Sequence, residues 1–271
     1  MKKTKAPLAL FLAVCLAVLL PLTAAASGRA VYMVVNGIPL QSSEAYINDD
    51  GVTMVPLRAV AEALGFNVSW NPDTRTVSIV SGEADPRPVV MLDPGHGGDS
   101  PGAIYGGVNE KDLNLSIAKQ VRELLEASGV LVLMTRSADD SVALAQRTEL
   151  AAGWCADLFV SIHCNASVEI PDAMGIYTCA YSEESSGWTL ANTLRQAMMA
   201  ATGAGDMGTE ERPNLVVLNT ATMPAALVEC GYMSTPAELT LLTQPDYQAR
   251  LALGIADGIL EYLAVPAGGT D

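Results

Sequence analysis

The chain has 271 residues, half of them apolar, with 30 acidic and 15 basic side chains and a formal net charge of −15. Such an acidic composition argues against nucleic acid or anionic membranes as partners, because both require clustered lysine and arginine. The length allows one large domain or two unequal domains.

Residues 1–26 have the pattern of a secretory signal peptide. Three lysines among the first five residues precede an apolar stretch at 8–20 and small residues at 24–26. The apolar stretch is shorter than the ~20 residues that a spanning helix needs. We therefore expect a protein secreted or held in the cell envelope, with no stable membrane insertion after cleavage. Loss of the three lysines would take the net charge from −15 to about −18.

A small α+β domain is predicted over residues 31–80. Its elements are strands at 31–35 and 38–40, a helix at 55–65, and strands at 66–70 and 76–80. Asn36-Gly37 is a hairpin signal, and Pro56 and Gly65 suit the start and the end of the helix. The domain contains no histidine or cysteine, so it carries no evident chemistry, and the polar segment 81–88 is predicted to be a linker.

Residues 89–265 alternate between strand-like and helix-like stretches. The predicted strands are 89–92, 130–134, 158–162, 175–179 and 225–228, and the predicted helices are 109–127, 143–152, 189–201 and 248–263. This alternation predicts an α/β fold in which helices cover both faces of a mostly parallel sheet. The small α+β domain precedes it.

The two histidines of the chain each follow a predicted strand. His96 lies in Leu-Asp-Pro-Gly-His-Gly-Gly, His163 lies in Ser-Ile-His-Cys-Asn, and Glu110 opens the helix at 109–127. In open α/β sheets, ligands bind at the carboxyl ends of the strands. Two imidazoles and one carboxylate, with a position left for water, form the ligand set of a catalytic zinc. The pattern therefore predicts a zinc hydrolase.

Each of these three residues also has a purely structural interpretation. A loop histidine can simply hydrogen-bond to backbone, and a lone histidine at a strand end is commonly a core residue. A glutamate at a helix start is stabilised by the helix dipole by ~0.3–1 kcal/mol. The glycines around His96 favour the ligand interpretation, because they remove side-chain bulk and permit strained backbone.

Glu229 follows the predicted strand at 225–228 and is either an ion-pair partner or a base near the metal. Amide hydrolysis needs a base for the water and an acid for the leaving amine, and one carboxyl group can serve as both. A Ser-His-Asp triad is disfavoured, because it would use one of the two histidines and leave the metal site incomplete. A Cys164 nucleophile is disfavoured, because neighbouring side chains on a strand point to opposite faces and Cys164 would face away from His163.

Four cysteines follow the signal peptide: Cys155, Cys164, Cys179 and Cys230. Their spacing lacks the paired C-x-x-C knuckles of a structural zinc site. Buried free thiols are the favoured interpretation, with three disulfide pairings as the alternative.

Residues 31–80 resemble the copper amine oxidase N-terminal-like domain found on many exported bacterial proteins. The matching features are the Val-Asn-Gly hairpin, Val-Pro-Leu-Arg at 55–58, Glu-Ala-Leu-Gly at 62–65 and Val-Ser-Trp at 68–70. The resemblance implies neither copper nor oxidase activity. It implies a non-catalytic accessory module with a cell-wall or protein partner.

Residues 89–265 resemble the zinc-dependent N-acetylmuramoyl-L-alanine amidases of the amidase 3 family. The matching stretches are 92–98, 101–103, 109–115, 135–136, 157–166 and 227–234. The resemblance implies that His96, Glu110 and His163 bind zinc and that Glu229 is the catalytic carboxylate. Cys164, Cys230 and Thr235 depart from the family pattern at positions that hold no ligand.

The resemblance implies a function more specific than zinc hydrolysis. We expect an exported enzyme that cleaves the amide between N-acetylmuramic acid and L-alanine in peptidoglycan. The first alternative is another zinc amide hydrolase, such as a peptidase or deacetylase. The second is a non-catalytic wall-binding protein, against which an intact Glu229 argues.

Overall fold

The computed structural model describes most of the chain between Val31 and Ala264. The described residues are 31–36, 38–40, 45–81, 87–170 and 172–264. The predicted signal peptide lies outside them, as do residues 82–86 of the predicted linker. No helix within the described residues is long and apolar enough to cross a membrane. The chain divides into two compact units between Asn67 and Val68.

The first unit consists of short antiparallel strand pairs and a helix. Its elements are β1 (Met33–Val35), β2 (Ile38–Leu40), β3 (Tyr46–Ile47), β4 (Thr53–Met54) and α1 (Leu57–Ala63). The predicted first hairpin and the helix are confirmed, with β1 paired to β2 and Gly65 at a φ of 86° after α1. The β3–β4 pair is absent from the prediction, because strands of two residues are too short to show a periodic pattern.

The described part of the second unit contains the remaining elements. The first of them, β5, begins at Asn67, the last residue of the first unit. The strands are β5 (Asn67–Asn71), β6 (Thr76–Val80), β7 (Val89–Pro94), β8 (Ile104–Tyr105), β9 (Val108–Asn109), β10 (Leu131–Met134), β11 (Leu158–Asn165), β12 (Ile176–Ala180), β13 (Asp206–Glu211) and β14 (Ala225–Tyr232). The helices are α2 (Glu110–Ala127), α3 (Leu144–Gly153), α4 (Ser186–Thr202), α5 (Val216–Asn219), α6 (Pro236–Leu242) and α7 (Pro245–Ala264).

A six-stranded sheet forms the centre of the second unit, with the order β10-β7-β11-β14-β12-β13. The strands β10, β7, β11 and β14 are parallel to one another, whereas β12 is antiparallel to β14 and parallel to β13. The predicted mostly parallel sheet is therefore confirmed. The edge strand β13 is absent from the prediction, because its sequence Asp-Met-Gly-Thr-Glu-Glu is polar and lacks an apolar run.

Helices cover both faces of this sheet, as predicted. On one face α2, α4 and α7 pack around a large apolar core that includes Ile117, Leu194 and Ile255. On the other face α3 and α5 pack around a smaller core that includes Phe159 and Leu227. These two faces are called the large-core face and the small-core face below.

The pair β8–β9 and the helices α5 and α6 were not predicted. Details near the candidate site also differ from the prediction. The strands β11 and β14 continue past His163 and Glu229, so both residues lie within strands rather than at their ends. Asn109 occupies the N-cap position of α2, but its side chain makes no capping hydrogen bond. The Asn109 amide instead donates to Asp112 at 3.0 Å.

A buried ion pair braces the carboxyl end of β7. The carboxylate of Asp93 is fully buried and accepts hydrogen bonds from Thr135 at 2.6 Å, Arg147 at 2.7 Å and Ser161 at 2.7 Å. Arg147 also donates from its second terminal nitrogen to the carbonyl of His96 at 2.8 Å. The ion pair therefore fixes α3 and two neighbouring strands to the loop that follows β7.

Replacement of Asp93 by asparagine should destabilise the second unit, because Arg147 would stay buried without its compensating charge. Breaking a buried ion pair on one side costs about 3–5 kcal/mol. We expect a lower urea midpoint when unfolding is followed with a chelator present.

Glu126→Gln is the matched control, because this exposed carboxylate lies 3.9 Å from Arg122 on the same helix. Exposed pairs of this kind contribute far less than buried ones. Equal midpoints for the Asp93 and Glu126 variants would contradict a bracing role for Asp93.

Candidate metal centre and catalytic carboxylate

The structure brings His96, Glu110 and His163 together at the carboxyl edge of the sheet. The Nε2 atom of His96 lies 3.1 Å from Oε2 of Glu110, and Nδ1 of His163 lies 2.8 Å from Oε1 of the same carboxylate. One potential ligand atom from each of the three residues lies within 4.8 Å of the other two. The three side chains predicted from separate sequence motifs therefore form one cluster.

Small residues make this close approach feasible. A methyl group added at Gly95 would overlap the imidazole of His163, and one added at Gly102 would overlap the side chains of Glu110 and His96. Gly102 also has a φ of 69°, a conformation that glycine adopts without steric cost. The cluster therefore depends on the absence of side chains at both positions.

His96 itself adopts an unfavourable backbone conformation. Its φ is 61°, in the left-handed region that costs a residue with a side chain about 1–3 kcal/mol. Arg147 and the surrounding hydrogen bonds hold this conformation, which aims the imidazole at Glu110. The other ring nitrogen, Nδ1, lies 3.0 Å from the Ser100 hydroxyl, which fixes the ring orientation.

Glu110 is buried, but its surroundings keep it ionised. Burial alone would raise the pKa of Glu110, yet hydrogen bonds from His163 and His96 outweigh burial and hold the pKa well below its usual range. The backbone N–H of Ala103 also donates to Oε2 at 2.9 Å. The centre therefore presents a charged carboxylate to a cation.

Burial and hydrogen bonding also have opposing effects on the pKa of His163. Burial would lower the pKa of His163, but its hydrogen bond to Glu110 raises the pKa above the ordinary value. The rings of His96 and His163 meet edge to face, with centroids 5.1 Å apart. Two imidazoles and a carboxylate in this arrangement are donors that suit zinc.

Two polar residues that the sequence analysis did not single out position the cluster. The amide of Asn114, one turn after Glu110 on α2, donates to Oε1 of Glu110 and to the carbonyl of Gly95, each at 3.2 Å. Arg136 donates to the carbonyls of Pro94 and Gly95, each at 2.9 Å. An asparagine four residues after a candidate ligand on one helix face is the signal that could have identified Asn114.

Glu229 lies beside His163 on the adjacent strand, because the two residues are paired in the register of β11 and β14. Val228 and Cys230 face the large core, so alternation along β14 directs Glu229 to the small-core face. Its Oε2 atom is buried and has no hydrogen-bond partner among the described residues. Burial raises the pKa of Glu229 to about 7, which makes this carboxyl group able to accept and release a proton near neutral pH.

A groove of about 810 Å³ opens beside the two histidines on the small-core face. His96, His163 and Ser100 contribute to its polar part, while its apolar lining includes Val142, Leu144, Leu215 and Val216. The apolar lining comes from two segments distant in sequence, so no local pattern in the sequence marks it.

The cysteines are free thiols in the structure, and only Cys155 among them is exposed. The pKa of the Cys164 thiol lies well above its usual range, because it hydrogen-bonds to Cys230 and is buried. Cys164 belongs to the large core, on the face opposite to His163. These features argue against a cysteine nucleophile.

Comparison with known proteins agrees with this architecture. Residues 90–261 match the N-acetylmuramoyl-L-alanine amidase family, and residues 34–87 match the copper amine oxidase N-terminal domain. A germination-specific N-acetylmuramoyl-L-alanine amidase of Bacillus subtilis is 34% identical over 72% of this chain and 85% of its own length.

Solved structures of amidases share the fold of the second unit. The N-acetylmuramoyl-L-alanine amidase AmiC2 of Nostoc punctiforme is 38% identical with a TM-score of 0.64, covering 67% of this chain and 100% of its own. An N-acetylmuramoyl-L-alanine amidase of Clostridium difficile 630 is 36% identical with a TM-score of 0.65, covering 68% of this chain and 100% of its own. The chain therefore belongs to the N-acetylmuramoyl-L-alanine amidase family.

Proposed function

We propose that this chain is an exported, zinc-dependent amidase that separates the peptide stem from the glycan of peptidoglycan by cutting the amide between N-acetylmuramic acid and L-alanine. The observation that carries the proposal is the convergence of His96, Glu110 and His163. Glu229 is paired with His163 on the adjacent strand, and a groove opens beside the two histidines. Membership of the amidase family supports the substrate. The pattern of residues 1–26 supports export.

The donor set supports zinc as the metal. Two imidazole nitrogens and one ionised carboxylate lie close enough to share one cation, and the flanking glycines leave room for it. Zinc bound by three such ligands lowers the pKa of a coordinated water to ~7 and polarises a carbonyl group. His96, Glu110 and His163 would hold the metal, and Asn114 and Ser100 would orient two of these ligands.

Glu229 would carry the proton transfers. Its unpartnered Oε2 accepts the proton of the attacking water, and the protonated carboxyl group then donates that proton to the leaving nitrogen of L-alanine. A carboxyl group with a pKa of about 7 can perform both steps near neutral pH. Cleavage releases a new alanine amino terminus and leaves the lactyl carboxylate on the glycan.

A wall-digestion assay tests the reaction against its alternatives. Purified peptidoglycan treated with the zinc-loaded protein should release alanine amino termini and unsubstituted glycan without new reducing ends. New amino termini from other residues would indicate a peptidase, and free acetate would indicate a deacetylase. A protein that binds walls without releasing any product would overturn the enzymatic proposal.

Alanine replacement of His96 or His163 should remove metal and activity together, because two protein ligands are too few for a stable catalytic zinc. Glu110→Ala should also lower metal content, because the carboxylate contacts both imidazoles. Metal analysis and rate are measured on the same samples, with Glu126→Gln as an exposed carboxylate control. A His163→Ala protein with one zinc per chain would contradict its assignment as a ligand.

Glu229→Gln should keep about one zinc per chain and lose roughly 10²–10⁴-fold in turnover, the usual scale for a general acid–base group. Glutamine preserves the size of the side chain but cannot accept the proton. A zinc-free Glu229→Gln protein would make Glu229 a ligand. A protein with both zinc and full turnover would require a different base.

We also propose that the region at 31–80 is an accessory module that binds the wall or a protein partner. One contact complicates the predicted boundary at 81–88. The hairpin of β5 and β6 belongs to the second compact unit, where Thr76 donates its hydroxyl proton to the carbonyl of Gly153 at 2.6 Å.

Two truncated proteins, beginning at Val68 and at Arg87, separate the accessory role from a structural one. Both should bind zinc and cleave soluble muropeptides, and both should lose activity on intact walls, where tethering raises effective concentration. Zinc content, soluble activity and wall activity are measured for each. Loss of zinc only in the protein that begins at Arg87 would show that the β5–β6 hairpin is part of the catalytic core.

A further inference from the structure

A second polar cluster lies next to Glu229 and takes no part in the reaction described above. The hydroxyl of Tyr177 on β12 donates to the carboxylate of Glu210 on β13. The Nε atom of Arg212 lies 3.3 Å from the Tyr177 hydroxyl and 3.2 Å from Oε2 of Glu210. The arginine side chain is therefore held at its inner end by two partners.

Strand register places this cluster beside the catalytic carboxylate. Tyr177 pairs with Glu229 across β12 and β14, just as His163 pairs with Glu229 across β11 and β14. Tyr177 packs against the small core, so it lies on the same face of the sheet as Glu229. His163, Glu229 and Tyr177 therefore lie side by side on three adjacent strands, and the polar cluster begins at Tyr177.

Arg212 also begins the segment that lines the groove. Its backbone N–H donates to the carbonyl of Ala180 at 2.8 Å, and its carbonyl accepts from the N–H of Leu215 at 3.1 Å. Leu215 and Val216 contribute to the apolar lining of the groove beside the histidines. These backbone contacts join the arginine to both the sheet edge and the groove.

The outer end of Arg212 is available to a ligand. Its side chain is 42% exposed, and neither terminal nitrogen has an acceptor within hydrogen-bond distance among the described residues. The basic groups nearer the histidines are already occupied: Arg147 by Asp93 and backbone carbonyls, and Lys111 by Asp139 and the carbonyl of Gly98. Arg212 therefore presents free, planar donors next to the reaction site.

The charge of Arg212 acts on the catalytic group. Burial is the largest influence on the pKa of Glu229 and raises it, whereas the positive charge of Arg212 opposes that rise. Burial and the bond to Glu210 raise the pKa of Tyr177, so this hydroxyl stays protonated and keeps donating. The guanidinium therefore lies within electrostatic range of Glu229.

We propose that Arg212, oriented by Tyr177 and Glu210, binds a carboxylate of the peptide stem next to the scissile amide. The proposal rests on the proposed function. The lactyl carboxyl group of the glycan is consumed in the amide, so the free carboxylates near this bond lie on the peptide side. A guanidinium fork matches a carboxylate in two parallel hydrogen bonds.

Two soluble substrates that differ in one group provide the test: the γ-methylamide of N-acetylmuramoyl-L-alanyl-D-glutamate and the γ-methylamide of N-acetylmuramoyl-L-alanyl-D-isoglutamine, in which a carboxamide replaces the carboxylate next to L-alanine. For the carboxylate substrate, Arg212→Gln should lower kcat/KM by roughly 10- to 100-fold, mainly through KM. For the carboxamide substrate the change should stay within about threefold. Arg212→Lys should recover part of the loss, because it restores the charge without the fork.

Arg250→Gln is the matched control, because this exposed arginine lies over the ring of Tyr247 on α7 and is not among the residues that line the groove. Tyr177→Phe should weaken the discrimination by a smaller factor than Arg212→Gln, because it removes one of the two groups that orient the guanidinium. An equal loss on both substrates, or no loss on either, would overturn the role of Arg212.

A binding measurement separates failure of this proposal from failure of the proposed function. Calorimetry with the Glu229→Gln protein compares the affinity of the two dipeptides with and without Arg212→Gln. A wild-type protein that cleaves neither dipeptide nor intact walls would count against the amidase assignment, whereas the binding preference would still report on Arg212. Equal affinity for both dipeptides in the Glu229→Gln protein would overturn the carboxylate subsite even if cleavage is observed.

Discussion

The candidate centre depends on two buried arginines that hold the loop after β7. Arg147 and Arg136 donate to the carbonyls of Pro94, Gly95 and His96, and Asp93 balances the charge of Arg147 within the sheet. These bonds compensate for the left-handed conformation of His96. Because Gly95 lies against the ring of His163, the same loop also fixes the separation of the two imidazoles. Hydrogen bonds to these backbone carbonyls thus set the positions of the candidate metal ligands.

The buried polar groups form a continuous network rather than isolated contacts. The amide of Asn114 donates to the Gly95 carbonyl and to Glu110. The carboxylate of Glu110 in turn lies within hydrogen-bond distance of both imidazoles. Buried polar groups are costly unless they are paired, so each of these side chains constrains the next.

The sequence patterns marked the three candidate ligands more clearly than the residues around them. His96, His163 and Glu110 could be placed together because parallel strands bring their carboxyl ends to one edge, and each residue follows or opens a predicted element. Asn114 was not identified, because an asparagine on an amphipathic helix resembles any polar surface residue. Arg212 was not identified, because it follows an edge strand whose polar sequence resembles a loop. The groove lining comes from segments brought together only by the fold.

The two glutamates of the site have opposite pKa shifts, which suits them to different roles. Both are removed from water, which by itself favours the protonated form. Glu110 has two imidazoles and a backbone N–H as direct partners, so it remains an anion suited to hold a cation. Glu229 has an oxygen without a partner among the described residues, and burial dominates, so its pKa rises to about 7. Direct hydrogen bonding therefore separates the candidate ligand from the candidate proton carrier, although Glu229 and His163 are paired on adjacent strands.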